Sequence, residues 1–236
     1  MSKQSAIIVP EGCTRVLLHA CCAPCSSAIV EWLLAHEIEP VIYYFNPNIY
    51  PLEEYDIRKN ESKRHAESLG ITWIDDDSTI KNEKLKIKNY EEAHQLWRHD
   101  ICGLESEPER GKRCEVCFYH RLLATARKAR ELDIPFFATT LASSRWKNLE
   151  QINRAGLKAA AAVNDEMSVR DANSMSAVIP LNDAPMVQFW AQNWRKDGLQ
   201  ERRNALLKEY GFYNQLYCGC EFSIRYTPPA PCGAQS

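Results

Sequence analysis

No run of roughly 18 apolar residues occurs in this 236-residue chain, so no membrane-spanning helix and no membrane partner are expected. Met1 to Gly12 offer only Ala6-Ile7-Ile8-Val9 before Pro10, too short an apolar core for a secretion signal. There is no glycine-rich nucleotide loop and no Ser-Gly-Gly-x-Asp-like pyrophosphatase signature, so ATP use is not indicated. Internal repeats and low-complexity tracts are also missing. Ten cysteines in 236 residues, about 4%, fall well below the roughly 8–10% of small disulfide-stapled secreted folds. The expectation is a soluble, cytoplasmic protein with mostly reduced thiols. A net charge of −2 excludes a protein that coats nucleic acid by bulk electrostatics. Hydrophobic content of 45% with 25% charged residues excludes wholesale disorder.

What is present is an alternation of short apolar runs and amphipathic segments. Arg15 to Ala20 reads as a buried strand, followed by a helix over Ser26 to His36 with Ile29, Trp32 and Leu33 at helical spacing. Pro40 to Phe45 predicts a second strand, ended by Asn46-Pro-Asn-Ile-Tyr-Pro51. A charged helix over Glu53 to Leu69 is closed by Gly70, and Ile71 to Ile74 predicts a third strand. Helices are expected over Tyr90 to Ile101, Glu115 to Leu132 and Leu149 to Val163, with a fourth strand over Pro135 to Thr140. The pattern predicts an α/β fold with a parallel sheet and helices on both faces, functional loops lying at the carboxyl ends of its strands. The chain reads as a single domain, 1–236: an α/β core over 13–163, an extension over 164–223 and a tail over 224–236. The stretch from Val163 to Ala184 is the least regular.

Cysteines mark the candidate site. Cys21, Cys22 and Cys25 directly follow the first strand, and Cys114 and Cys117 form a Cys-x-x-Cys pair at the start of the most basic helix. Both are helix N-termini, whose free N–H groups and positive dipole favour thiolates or a cluster bearing thiolate ligands. Two such pairs fit a zinc site of four thiolates, although that leaves Cys21 without a role; an iron–sulfur cluster, which tolerates scattered ligands, fits at least as well. A thioredoxin-like reading leaves one of the two motifs unused. Cys218-Gly-Cys220 spans a tight ring, as expected for an easily reduced two-electron pair, though two more metal ligands or free thiols fit the same spacing. Cys13, Cys102 and Cys232 read as small hydrophobes.

Seven Lys or Arg between Arg110 and Arg130, against Glu115 alone, are either a basic face for a polyanion or ordinary solvated helix surface. His65, His94, His99 and His120 sit on charged helices and read as surface or capping residues, whereas His19 reads as a core residue or one supporting the neighbouring cysteines. Asp75-Asp76-Asp77 reads as a turn and helix cap rather than a hard-cation site.

Several motifs together carry a resemblance: Leu-His-Ala-Cys21-Cys22-Ala-Pro-Cys25, Tyr-Phe-Asn46-Pro47-Asn48-Ile-Tyr-Pro51-x-x-Glu54-Tyr55, Arg113-Cys114-Glu-Val-Cys117-Phe-Tyr-His-Arg121-Leu, Thr139-Thr140-Leu, Ser144-Arg-Trp-Lys147-Asn148 and Tyr217-Cys218-Gly219-Cys220-Glu-Phe-Ser223. From about Val16 to Ser223 the chain resembles the QueH-type epoxyqueuosine reductases. The resemblance implies reduction of the epoxide of epoxyqueuosine in tRNA to queuosine, on a fold similar to the adenine nucleotide alpha-hydrolase (HUP-like) group. It implies a 4Fe-4S cluster on Cys21, Cys22, Cys114 and Cys117, a redox-active pair in Cys218 and Cys220, and an additional iron ion with Cys25 as its ligand. An external electron donor, such as a flavodoxin, a ferredoxin or a small thiol, is implied as well. Ser144-Arg-Trp-Lys stands where Ser-Pro-Tyr-Lys is more usual, and Asn193-Trp-Arg-Lys196 where an acidic residue is expected first. On this reading the helix that begins near Cys114 carries the tRNA backbone through Arg121 and Arg127, and Tyr43, Tyr44 and Tyr50 are the residues expected to stack on the base.

Overall fold

Five short strands, all parallel, make one sheet, because each apolar run is followed by a helix that must cross back over it. The computed structural model describes residues 7–77, 83–173 and 186–224. In chain order the elements are β1 (Arg15–His19), α1 (Ala23–Ala35), β2 (Glu39–Tyr43), α2 (Leu52–Ser68), β3 (Trp73–Ile74), α3 (Glu83–Asp100), α4 (Lys112–Glu131), β4 (Phe136–Thr139), α5 (Leu149–Asn173), β5 (Gln188–Phe189) and α6 (Leu199–Glu209). The expected α/β class, with a parallel sheet and helices, is what the chain forms. Among the described residues no helix is long and apolar enough to cross a membrane.

The strand order is β3-β2-β1-β4-β5. The chain steps outward from β1 to β3, then returns to the other side of β1 as β4, so its direction of progress reverses between β1 and β4. A crevice opens at the carboxyl ends of the strands at such a switch point. α1 packs with α2 and α6, and α4 packs with α5; right-handed crossovers put the two groups on opposite faces. Val16, Leu17 and Leu18 are therefore buried on both sides, as are Val41, Ile42 and Tyr43 on β2.

Helices begin earlier or run longer than the sequence pattern suggests. α1 starts at Ala23, immediately after Cys22, with Pro24 in its first turn, where a missing N–H costs nothing. Gly70 takes φ 67° just beyond α2, as a C′ glycine does. β5 was not legible from periodicity. It pairs with β4, and its Phe189 lies over Gly156 of α5, where a Cβ would come within 2.4 Å of the ring. The irregular stretch after Val163 continues α5 to Asn173; residues 174–185, and the tail with Cys232, lie outside the described residues.

Two histidines are not at the surface as expected. The His65 ring is buried edge-on against Tyr210 and Phe212, at 5.1 and 5.0 Å, because α2 packs on the segment that follows α6. His94 is buried too, its Nδ1 donating to the Pro47 carbonyl at 2.7 Å and its ring stacked on Tyr50, Tyr90 and Trp97. His120 is half-buried beside Asp100, and His99 is exposed. Burial lowers the pKa of His65 from its usual value near 6.5. The folded ring thus resists a proton that the unfolded chain accepts, and stability falls as pH drops below that value. His65→Phe is expected to show a smaller loss of melting temperature between about pH 7.5 and 5.5 than the parent chain. Equal losses would remove His65 as a source of the acid sensitivity.

Asp75, Asp76 and Asp77 form the expected turn but do more than cap: Lys59 reaches Asp75 at 2.6 Å and Asp77 at 2.5 Å, and the Tyr43 hydroxyl donates to Asp76 at 3.0 Å. Cys13 is a buried small hydrophobe as read, whereas Cys102, at the end of α3, is exposed.

Candidate functional site

The crevice between β1 and β4 is walled by the turns at the ends of these two strands. After β1 the chain bends sharply through Cys21 and Cys22 into α1; after β4 it enters a short 3-10 turn, Thr140–Ser143. Thr140 Oγ1 accepts from the Cys21 backbone N–H at 3.3 Å and lies 3.6 Å from Cys21 Sγ, tying the two turns together. Cys22, in extended backbone, occupies the N-cap of α1 without a side-chain cap bond, so the thiols meet the free N–H groups of that helix.

Cys21, Cys22 and Cys25 are all buried, and their Sγ atoms lie within 4.8 Å of one another. Hydrogen bonds donated by Cys22 and Cys25 hold the Cys21 thiol well below its ordinary range. Burial pushes Cys22 well up, and Cys25 is raised to about 11, chiefly by donating to Cys21. One thiolate shared among three sulfurs is the donor set of a soft metal: three close thiols suit iron or zinc and do not suit calcium or magnesium. The triad can bind a metal.

His19, at the end of β1, supports this turn from behind. Its Nε2–H donates to the Phe45 carbonyl at 3.1 Å, which leaves Nδ1 to accept from Thr139 Oγ1 at 2.8 Å. Complete burial, helped by the nearby Arg121 charge, drops its pKa to about 3 and keeps the ring neutral.

Cys114 and Cys117 sit in the first turns of α4, as the sequence suggests, with the Arg110 backbone N–H donating to Cys114 Sγ at 3.3 Å. They stand outside the tight triad. Cys114 shares a cavity of about 440 Å³ with Cys25, Cys218 and Lys147, while Cys117 packs with Cys220, Trp97 and Ile101. Burial raises Cys114 to about 11 and raises Cys117. Cys220 is pushed up to about 12 by the same cause. Cys218 is half-buried, and Lys147 Nζ approaches its Sγ at 3.6 Å. Burial works against the Lys147 charge, but Cys218 and then Cys21 outweigh it and hold the ammonium protonated.

Arg58, which the sequence pattern did not single out, and Gly219 of the Cys218-Gly219-Cys220 motif hold this arrangement. Arg58 of α2 is buried, pairs with Glu54 and donates to the carbonyls of Tyr217 at 3.1 Å and Cys218 at 3.4 Å. Gly219, at φ 99°, has no room for a Cβ, which would stand 2.9 Å from Ile49 and 3.0 Å from Arg58. Gln215 Nε2 reaches Cys25 Sγ at 3.8 Å. Glu54 belongs to the motif that holds Asn46 and Tyr55, and its i+4 spacing to Arg58 was visible, but a charged pair on a charged helix reads as solvent-facing.

The expected tRNA face is overturned at Arg121. Arg121 is buried, its guanidinium donating to Asn46 Oδ1, whose amide in turn donates to the Ala20 carbonyl at 2.9 Å; it props the Cys21 turn and does not meet solvent. Arg127 stays exposed on α4 and pairs there with Glu166 at 2.5 Å, whereas Arg113 is buried against the carbonyls of Leu104 and Glu105. Tyr43 and Tyr44 cannot stack on a base, because β2 is covered on both faces and both rings are buried; Tyr50 keeps an exposed ring.

Fold and site together define an α/β protein with a buried cysteine cluster able to bind a metal. Comparison with known proteins makes the group specific: the chain belongs to the epoxyqueuosine reductase QueH family, whose family model matches residues 16–226. It is 39% identical to the epoxyqueuosine reductase QueH of Haemophilus influenzae, over 92% of this chain and 74% of that protein. The Acinetobacter baylyi protein of the same name is 37% identical over 93% of this chain and 84% of its own length. The Thermotoga maritima one is 29% identical over 89% and 90%.

Proposed function

We propose that this protein removes the epoxide oxygen of epoxyqueuosine in tRNA and leaves the alkene of queuosine, acting in the cytoplasm. One observation carries the reading: in a chain of this family, Cys25, Cys114, Cys218 and Lys147 converge on one cavity at the crevice between β1 and β4. Cys21, Cys22, Cys114 and Cys117 are the residues to hold a 4Fe-4S cluster, with Cys25 for a further iron ion, and these groups, when bound, supply one-electron transfer and a Lewis acid for oxygen.

The protein's own residues account for the rest of the balance. Converting an epoxide to an alkene consumes two electrons and two protons and releases water. Cys218 and Cys220 match that demand: two thiols become one disulfide, giving up two electrons and two protons, and an external donor restores them. Lys147 keeps a proton at Nζ beside Cys218 Sγ, next to where the oxygen departs. Arg58 fixes the backbone of Tyr217 and Cys218, so Cys218 meets the cavity in one orientation.

Iron, acid-labile sulfide and zinc measured on anaerobically purified protein test the reading. About four or five irons with matching sulfide and a brown visible spectrum are expected. About one zinc without sulfide, persisting after anaerobic reconstitution, would overturn it in favour of a zinc-stabilised RNA-binding module.

A further inference from the structure

With Arg121 buried behind the Cys21 turn, the mouth of the cavity is where cations outnumber carboxylates. Arg110, Arg145, Lys147 and Arg203 line it against one carboxylate, Glu109. None of the four cations is paired with a carboxylate among the described residues, whereas Arg127, Lys128 and Arg154 elsewhere are each paired with a glutamate. Arg195 stands behind the same rim, its pKa lowered by burial and by the neighbouring Arg110 charge. Four cations against one carboxylate define a seat for an anion.

Trp146 lines the same cavity, and the residue is 74% exposed. It is not a loose loop tip. The carbonyls of three successive residues are each taken by a guanidinium: Arg110 donates to Arg145 at 3.3 Å and to Trp146 at 2.8 Å, and Arg195 donates to Lys147 at 2.9 Å. The segment is held while its large apolar ring is left bare, and an apolar face displayed in this way marks a contact site. Leu216, 91% exposed, lines the same mouth. A flat aromatic among arginines that no carboxylate neutralises is the surface of a single-stranded nucleic acid site: the ring stacks on an unpaired base, and the arginines take its phosphates.

We infer that Trp146 is the stacking platform for an unpaired base of an RNA loop, with Arg110, Arg145 and Arg203 receiving the phosphates beside it. This rests on the proposed action on tRNA and names where that RNA enters.

The test is binding of a fluorescent RNA stem–loop of anticodon-arm shape, and of a blunt RNA duplex of the same length, to the metal-loaded protein at two salt concentrations. The parent protein is expected to prefer the stem–loop. Trp146→Ala should weaken stem–loop binding roughly five- to a hundredfold, Trp146→Phe should restore most of it, and Arg145→Gln should lower the salt slope by about one. Trp146→Ala binding the stem–loop as tightly as the parent would overturn the platform while leaving tRNA action intact. A parent protein that binds neither RNA would overturn both the platform and the reading beneath it. Trp146 is solvent-exposed, so its replacement leaves the fold undisturbed, which an unchanged melting temperature checks.

Discussion

Arg58→Leu is expected to lower stability by about 3–5 kcal/mol, because it strands a buried carboxylate and frees a segment of the site at once. Glu54 would keep only the Tyr213 hydroxyl, 2.8 Å from its Oε2, in a place with almost no access to water. The carbonyls of Tyr217 and Cys218 would lose their donor, and the Tyr217 ring the guanidinium 5.4 Å from its centroid. For a chain of this size the melting temperature should fall by roughly 6–20 °C. Arg58→Lys should recover only part of this, since an ammonium cannot reach Glu54 and two carbonyls in one plane. Glu54→Leu combined with Arg58→Leu should recover more than additivity allows, because no charge is then left buried alone. A melting temperature for Arg58→Leu within a degree or two of the parent would show that the pair contributes nothing.

Exchanging single cysteines should separate holding a metal from turning over. Cys218→Ser should retain the metal content and visible spectrum of the parent yet lose multiple turnover to background, because one thiol cannot close a disulfide. Cys114→Ser should lose both together, because a thiolate ligand is gone. Measuring iron, sulfide and turnover on the two variants side by side checks this. Full multiple turnover in Cys218→Ser would remove the dithiol from the reaction; full metal content in Cys114→Ser would remove Cys114 from the ligand set.

The sheet was largely legible because β1, β2 and β4 are buried apolar runs separated by long amphipathic segments, and periodicity reports such contrasts directly. β5 was not, since two residues, Gln188 and Phe189, carry no period, and their place is set by Gly156 on another element. The cysteines were legible by their position just after β1 and at the start of α4. Their supports were not. Arg58, Arg113 and Arg121 are charged residues on helices that read as solvated, and only the tertiary partners, carbonyls and carboxylates from distant parts of the chain, make their burial tolerable. The stacking tyrosines failed for a related reason: a parallel sheet covered on both faces buries Pro40 to Tyr43 of β2 and Tyr44 just after it, whereas Tyr50, further along the loop, stays exposed.

The crevice between β1 and β4 draws its sulfur atoms from the start, the middle and the end of the chain. Cys21 to Cys25, Cys114 and Cys218 become neighbours only after the sheet has closed and the C-terminal segment has docked on α2. A metal centre held there is thus a late product of folding, and it closes very long loops. An ion that bridges the turn after β1 and the start of α4 binds the native chain far better than the unfolded one, so loading acts as a clasp: the filled protein should resist heat and proteolysis better than the stripped one.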